Sequence, residues 1–188
     1  MPSTTGLLLA AGAGRRYGHP KALVPGWLAH AAEVLGDGGC DEVRVVLGAR
    51  AEDARDLVPT GVGITVAADW RDGMGASLRA GLSDVAPTAA TAVLVHLVDL
   101  PDVSADVVHR VLASATSPDA LTRAAYAGAP GHPVLIGRSH WDGVLADVSG
   151  DAGARDYLRS HPPDLVECGD LATGRDVDIR QSRDIDAR

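Results

Sequence analysis

"LLLAAGAGRRYGHPKAL", residues Leu7 to Leu23, decides most of what this chain can be. A short continuous apolar run breaks into small residues, then Arg15-Arg16, then His19-Pro20-Lys21. The run reads as a strand buried on both faces, and the glycines as the turn at its carboxyl end. Strands of that kind belong to parallel sheets with helices on either side. The loop could hold a dinucleotide, a triphosphate or nothing. A dinucleotide fingerprint, G-x-G-x-x-G, needs its third glycine three residues after the second. Gly12 and Gly14 fit, but Tyr17 stands at that place and Gly18 comes one later. A P-loop needs Gly-Lys followed by Ser or Thr, whereas Lys21 lies between Pro20 and Ala22. What remains is a glycine-rich turn with free N–H groups beside three cations, and such turns bind polyphosphate without either motif. Pro20 disfavours helix at His19, so the loop should run extended there with Lys21 turned back toward the phosphates. A surface turn with solvated charges is the plain alternative. Against it, Lys21 is the chain's only lysine, and lysine rather than arginine suits a compact point charge.

Composition narrows the field. A length of 188 residues favours one domain, 1–188, with a tail from about residue 180 expected to fray. The hydrophobic fraction is 46% with no Phe, so Leu, Val, Ala and Ile must build the core. A net charge of −8 argues against a nucleic-acid-coating surface, though not against a local anion site. Cys40 and Cys168 have no CxxC spacing and read as free, half-buried thiols. No apolar run approaches a membrane span, and we expect a soluble cytoplasmic protein.

Short apolar runs alternate with helical patterns along the chain. Strands are expected over 6–10, 42–48, 63–68 and 91–99, with helices over 27–35, 51–58, 75–85 and 105–114. Beyond residue 118 the order loosens, with strands over 119–126, 132–136 and 164–168 and helical pieces near 138–147 and 152–160. The fold class is α/β, a Rossmann-like, mostly parallel sheet with helices on both faces. Ligands of such sheets sit at the carboxyl ends of the strands, which singles out the opening loop, the loop after "GITVAA" and Asp99.

Four segments in register resemble one family. "LLLAAGAGRRYGHPKAL" resembles the LAAGxGxRxGxPKxL signature of nucleotidyltransferases of the MobA-like, molybdenum-cofactor branch. "DWRDGMGASLRAGL" (69–82), "VDLPDVSADVVHRVL" (98–112) and "GHPVLIGRSHWDGVLADVSGDAGAR" (131–155) are similar to its cytidylyltransferase subgroup. The resemblance runs over nearly the whole chain, from about residue 5 to about 178. It implies transfer of a nucleoside monophosphate, CMP by preference, from an NTP–Mg²⁺ complex to a phosphorylated acceptor of molybdopterin type, with pyrophosphate released. A molybdoenzyme would be a further partner; nucleic acid and membrane would not. It implies that Ala10, Ala11, Gly12, Ala13, Gly14 and Arg15 cradle the triphosphate. Lys21 would neutralise its charge, and Gly75, Ser77 and Leu78 would meet base or ribose. Asp99 would hold Mg²⁺, with Asp178 of the Asp176-Val177-Asp178 segment as second ligand. His132, Gly150 and Asp151 would face the acceptor. Arg15, Lys21 and Asp99 would be the catalytic set.

Plain alternatives stand beside these roles. Asp99 could be a loop or cap residue before Pro101, and His132 could pair with backbone. His96, inside an apolar strand, reads as a satisfied core histidine. "GDAGAR" reads as a helix entry with Asp151 as cap. Trp70 and Trp141 could line the cleft, with core burial as the default. The sequence also departs from the family. The segment after Lys21, "VPGWLAH", is about four residues shorter than expected, which bears on acceptor choice. "VDLP" replaces "GDQP", and nothing resembling T-P-E follows Asp178. Two rival functions follow. One is an NAD(P)H-dependent oxidoreductase, because the opening motif is also similar to proteins of this fold described as nicotine blue oxidoreductases. The other is a non-catalytic cofactor-binding chaperone.

Overall fold

A computed structural model describes residues 3–115, 117–148 and 150–178, without the side chain of Asp151. The expected frayed tail falls outside these residues. β1 (Thr4–Ala10) is buried along its whole length. Its side chains alternate between two layers, as the period of a strand requires. Leu8 and Ala10 join one apolar cluster with Val45, Leu47, Leu94 and Leu135. Leu7 and Leu9 join the other with Val46, Val93, Val95 and Ile136. A strand apolar on both faces must be covered on both. α1 (Trp27–Asp37) and α4 (Ala105–Ala113) cover the first face, α3 (Met74–Val85) and α5 (Trp141–Asp147) the second. Burying each of Leu7 and Leu8, which are wholly inaccessible, contributes about 2 kcal/mol or more.

The seven strands lie in the order β3-β2-β1-β4-β6-β5-β7. The others are β2 (Glu42–Leu47), β3 (Gly63–Val66), β4 (Ala92–Leu97), β5 (Leu121–Tyr126), β6 (Ala129–Gly137) and β7 (Asp164–Glu167). Pairs β1–β2, β1–β4, β2–β3 and β5–β7 are parallel. β6 runs antiparallel to both β4 and β5 and wedges between them. The expected elements are all present with shifted ends: β1, α1, α3 and β6 run longer than expected and the others shorter. The helix expected over 51–58 is α2 (Ala51–Arg55), and the last, α6 (Arg155–Ser160), starts three residues later than expected. Its N-cap is Ala154, so Asp151 does not cap it.

The close approach of α3 to the sheet rests on a glycine. A Cβ at Gly81 of α3 would lie 2.7 Å from Leu7 Cδ1 and 2.8 Å from Val46 Cγ2. Only a bare backbone lets α3 sit this near β1 and β2, and α3 carries part of the candidate site. The chain works outward from β1 to β2 and β3, then returns to place β4 on the other side of β1. The loops after β1 and β4 therefore part company at one point, where open α/β sheets form their ligand crevice.

Candidate active site

The two diverging loops build the site. Gly14 has φ of +60°, and a Cβ there would lie 1.9 Å from the His19 carbonyl oxygen, so only glycine fits. The turn closes with the Gly18 N–H donating to the Gly14 carbonyl at 2.8 Å. The loop thus turns back over residues 15–18, where an extended course is expected from the sequence, and is extended at Pro20, where ψ is 127°. That course leaves six consecutive N–H groups, Gly12 to Tyr17, with no acceptor among the described residues. Unpaired amides gathered in one turn form a concavity for anionic oxygen.

After Pro20 the chain enters a single 3₁₀ turn, Lys21–Leu23, which sends the Lys21 side chain back under the loop. Its ammonium donates to Asp99 Oδ2 at 2.6 Å and to Asp178 Oδ1 at 3.0 Å. Burial works against the charge on Lys21, but the bonds and charges of Asp99 and Asp178 outweigh it and hold the pKa above its ordinary value. The amine is therefore a permanent cation. Asp178 also accepts from Arg16 at 2.7 Å. The Lys21 hydrogen bond, reinforced by the Lys21 and Arg16 charges, draws its pKa down. Asp99 follows the end of β4, and its own carbonyl accepts from the Val177 N–H at 3.0 Å, which pins the 176–178 segment across the crevice. Carboxylate oxygens of Asp99, Asp176 and Asp178 lie within 4.8 Å of one another. Three carboxylates this close demand positive charge, and oxygen donors on a half-exposed edge suit a hard divalent ion. Asp176 went unsingled in the sequence. Its signal was the i, i+2 spacing with Asp178, which puts both on one side of an extended segment.

These groups line one cavity of about 770 Å³ with the loop Gly12 to Tyr17, Trp70 and Ser77. A second cavity of about 340 Å³ adjoins it, sharing Leu9, Met74, Leu97, Ala152, Arg155 and Asp176 as a common wall. The expected nucleotide set divides between them. Ala10, Ala11, Gly12, Ala13, Gly14, Arg15, Lys21, Asp99 and Ser77 line the first, and Leu78 lines the second. Gly75 is buried at the start of α3 and lines neither. His132 lines the second cavity; desolvation, with His96 and Arg123 nearby, pushes its imidazole down to about 3, so it is neutral there. Gly150 lines neither cavity, and the Asp151 side chain is outside the described residues.

Other expectations resolve in the same way. Trp70 lines the cleft with the Arg71 guanidinium 4.6 Å above its ring, whereas Trp141 is core, donating to the Ile136 carbonyl at 3.0 Å. Both thiols are fully rather than half buried. His96 is a core residue, yet its Nδ1 has no partner among the described residues, and burial lowers its pKa to about 4. It is a desolvated histidine rather than a satisfied one. None of residues 24–30, in the shortened segment after Lys21, lines either cavity. Trp27 instead packs against Tyr17, with ring centroids 5.6 Å apart, and buttresses the loop from behind.

Comparison with known proteins agrees with this geometry. The chain is 43% identical to the nicotine blue oxidoreductase of Paenarthrobacter nicotinovorans, over 95% of this chain and 93% of that one. The crystal structure of Rv0371c from Mycobacterium tuberculosis H37Rv superposes with a TM-score of 0.78 at 30% identity, covering 95% of this chain and 93% of that one. A manganese complex of Rv0371c gives 0.71 at 28% identity, with 88% and 87% covered. Residues 6–165 match the MobA-like NTP transferase domain. Strand-end carboxylates, an open amide turn and a solitary lysine at the sheet's switch point are thus features of a chain that belongs to the MobA-like NTP transferase family.

Proposed function

We propose that the chain transfers a nucleoside monophosphate from a nucleoside triphosphate to a phosphorylated small-molecule acceptor. An acceptor phosphate oxygen attacks the α-phosphorus, the bond to the bridging oxygen breaks, and pyrophosphate leaves. One observation carries this reading: six residues with unpaired amides line the same cavity as three clustered carboxylates and a buried-edge ammonium. Such a reaction consists of positioning and charge stabilisation, and those groups supply both. The Gly12–Tyr17 amides and Arg15 hold the polyphosphate. A divalent ion held by Asp99, Asp176 and Asp178 would neutralise phosphate charge and polarise the α-phosphoryl group. Lys21, which donates to Asp99 and Asp178 in the ligand-free site, would donate to phosphate oxygen instead when an ion occupied those carboxylates. Mg²⁺ is the ion we expect; the 28%-identical Rv0371c has been solved as a manganese complex, which is in keeping with a divalent ion in this fold. CTP is favoured by the resemblance of residues 69–82 to cytidylyltransferases, and a molybdopterin-type acceptor by the same resemblance.

A second reading, an NAD(P)H-dependent oxidoreductase, is favoured by the 43%-identical relative. The pyrophosphate of a dinucleotide could use the same amide turn. Hydride transfer, however, gives no task to three gathered carboxylates. Asp99→Asn separates the two. Loss of metal-dependent pyrophosphate release with the acceptor present supports transfer; NADPH oxidation unchanged by the substitution supports reduction.

A further inference from the structure

The second cavity has a chemistry of its own. Its lining is aliphatic over most of its wall, with Leu78, Val95, Leu97, Leu100, Val134 and Leu158 among the contributors. Among the described residues its lining has no Ser, Thr, Asn or Gln, and the whole sequence has no asparagine and only one glutamine, Gln181. A ligand rich in ring nitrogens and amide groups would leave polar atoms facing hydrocarbon here, which is costly. Two cations interrupt the apolar wall. Arg123 is half-buried and donates only to the backbone carbonyls of Gly131, at 2.7 Å, and Pro130, at 3.5 Å. Arg155 lies on the wall shared with the nucleotide cavity. Neither guanidinium has a carboxylate partner among the described residues. Burial and the positive charge of Arg155 both weaken the hold of Arg123 on its proton, so an anion between them would relieve repulsion as well as bind. Two further polar groups line it: Asp176, on the shared wall, whose carboxylate belongs to the cluster with Asp99 and Asp178, and His132, which is neutral.

We propose that this cavity takes an apolar ring system carrying one anionic group, with the rings against the aliphatic wall and the anion held by Arg155 and Arg123. This places the anion at the boundary with the nucleotide cavity and the ring body away from it. The inference deepens the transfer reading and rests on it only in calling the ligand an acceptor. It narrows that acceptor to an apolar one, in contrast to the polar pterin that the family resemblance suggests.

The test is equilibrium binding to the full chain, using 2-naphthyl phosphate as fluorescent probe, with inorganic phosphate and 6-hydroxymethylpterin phosphate as competitors. We expect 2-naphthyl phosphate to bind about tenfold tighter or more than either competitor, because only it buries a ring on hydrocarbon. Arg155→Gln should weaken it about tenfold, the loss of one charge-assisted bond. Leu158→Glu, which sets a carboxylate in the aliphatic wall, should weaken it at least as much; thermal melts establish that both variants fold. Saturating Mg²⁺–CTP should leave the probe bound. The proposal is overturned if the pterin phosphate binds as tightly, if the naphthyl group adds nothing over inorganic phosphate, if both variants bind like the parent, or if Mg²⁺–CTP displaces the probe. Mg²⁺–CTP titrated alone reports separately on the transfer reading, so either can fail without the other.

Discussion

Replacing Lys21 by methionine removes the one internal cation that touches two of the three clustered carboxylates. The Lys21–Asp99 pair is short, at 2.6 Å, with both side chains less than a fifth exposed. A charge-assisted bond in that setting contributes about 2 kcal/mol. The bond to Asp178 is longer and its carboxylate is 37% exposed, so screening reduces it to about 1 kcal/mol or less. Together they give a loss of about 3 kcal/mol. Unfolding entropy of about 2.1 cal/mol/K per residue over 188 residues is about 0.4 kcal/mol/K. The expected fall in Tm is then about 7 °C. The second half of the prediction concerns metal. In the parent chain an incoming ion must compete with the ammonium for Asp99 and Asp178; in Lys21→Met it need not. Thermal unfolding with and without Mn²⁺ should therefore show a larger metal-induced rise in the variant, and an ion present at 100 times its Kd would restore about 2.7 kcal/mol. A variant that melts within about 2 °C of the parent would refute the energetic reasoning. A smaller metal-induced rise in the variant would refute the idea that lysine and metal compete for the carboxylates.

Two further outcomes follow from residues on either side of this cluster. Gly14→Ala forces a Cβ to within 1.9 Å of the His19 carbonyl at a φ of +60°, so the loop must move. Triphosphate binding measured by calorimetry should fall about tenfold or more while the fold, held by the sheet, costs only about 1–2 kcal/mol; unchanged binding would show that the amide turn does not hold the ligand. His96 has its pKa lowered from 6.5 to about 4 by burial and by the His30 charge, with His132 also close. The native chain then refuses a proton that the unfolded chain accepts. Stability is full above pH 6.5 and declines as pH falls toward 4, by up to roughly 3 kcal/mol. His96→Leu should flatten that decline in melts taken between pH 7 and 4.5, leaving the part due to His132; an unaltered slope would exclude His96 as its source.

The sequence displayed what depends on local pattern and concealed what depends on strand neighbours. "LLLA" and "AVLVHL" announce strands buried on both faces because every position but His96 is apolar or small, and both are central in the sheet. The pattern of "HPVLI" marks a strand equally well, but periodicity says which face a side chain takes and not which strand lies beside it. The antiparallel wedge of β6 between β4 and β5 was therefore not legible. In the site, Lys21 stood out because it has no equal in the chain, and Asp99 because it follows an apolar strand. Arg123 and Arg155 did not, being two of sixteen arginines that the fold brings to one cavity from separate segments. Gly75 and Gly150, which the motifs also pick out, line neither cavity, because a motif position marks backbone as readily as a cavity wall.

The most direct measurement is calorimetric titration of the purified chain with CTP in the presence of Mg²⁺ or Mn²⁺, repeated with Asp99→Asn and with NADPH as ligand. The account predicts that CTP binds only when the divalent ion is present, that Asp99→Asn weakens this binding about tenfold or more, and that NADPH binds far more weakly without regard to metal. Tight NADPH binding indifferent to both metal and Asp99→Asn, with no heat from any nucleoside triphosphate, would contradict it.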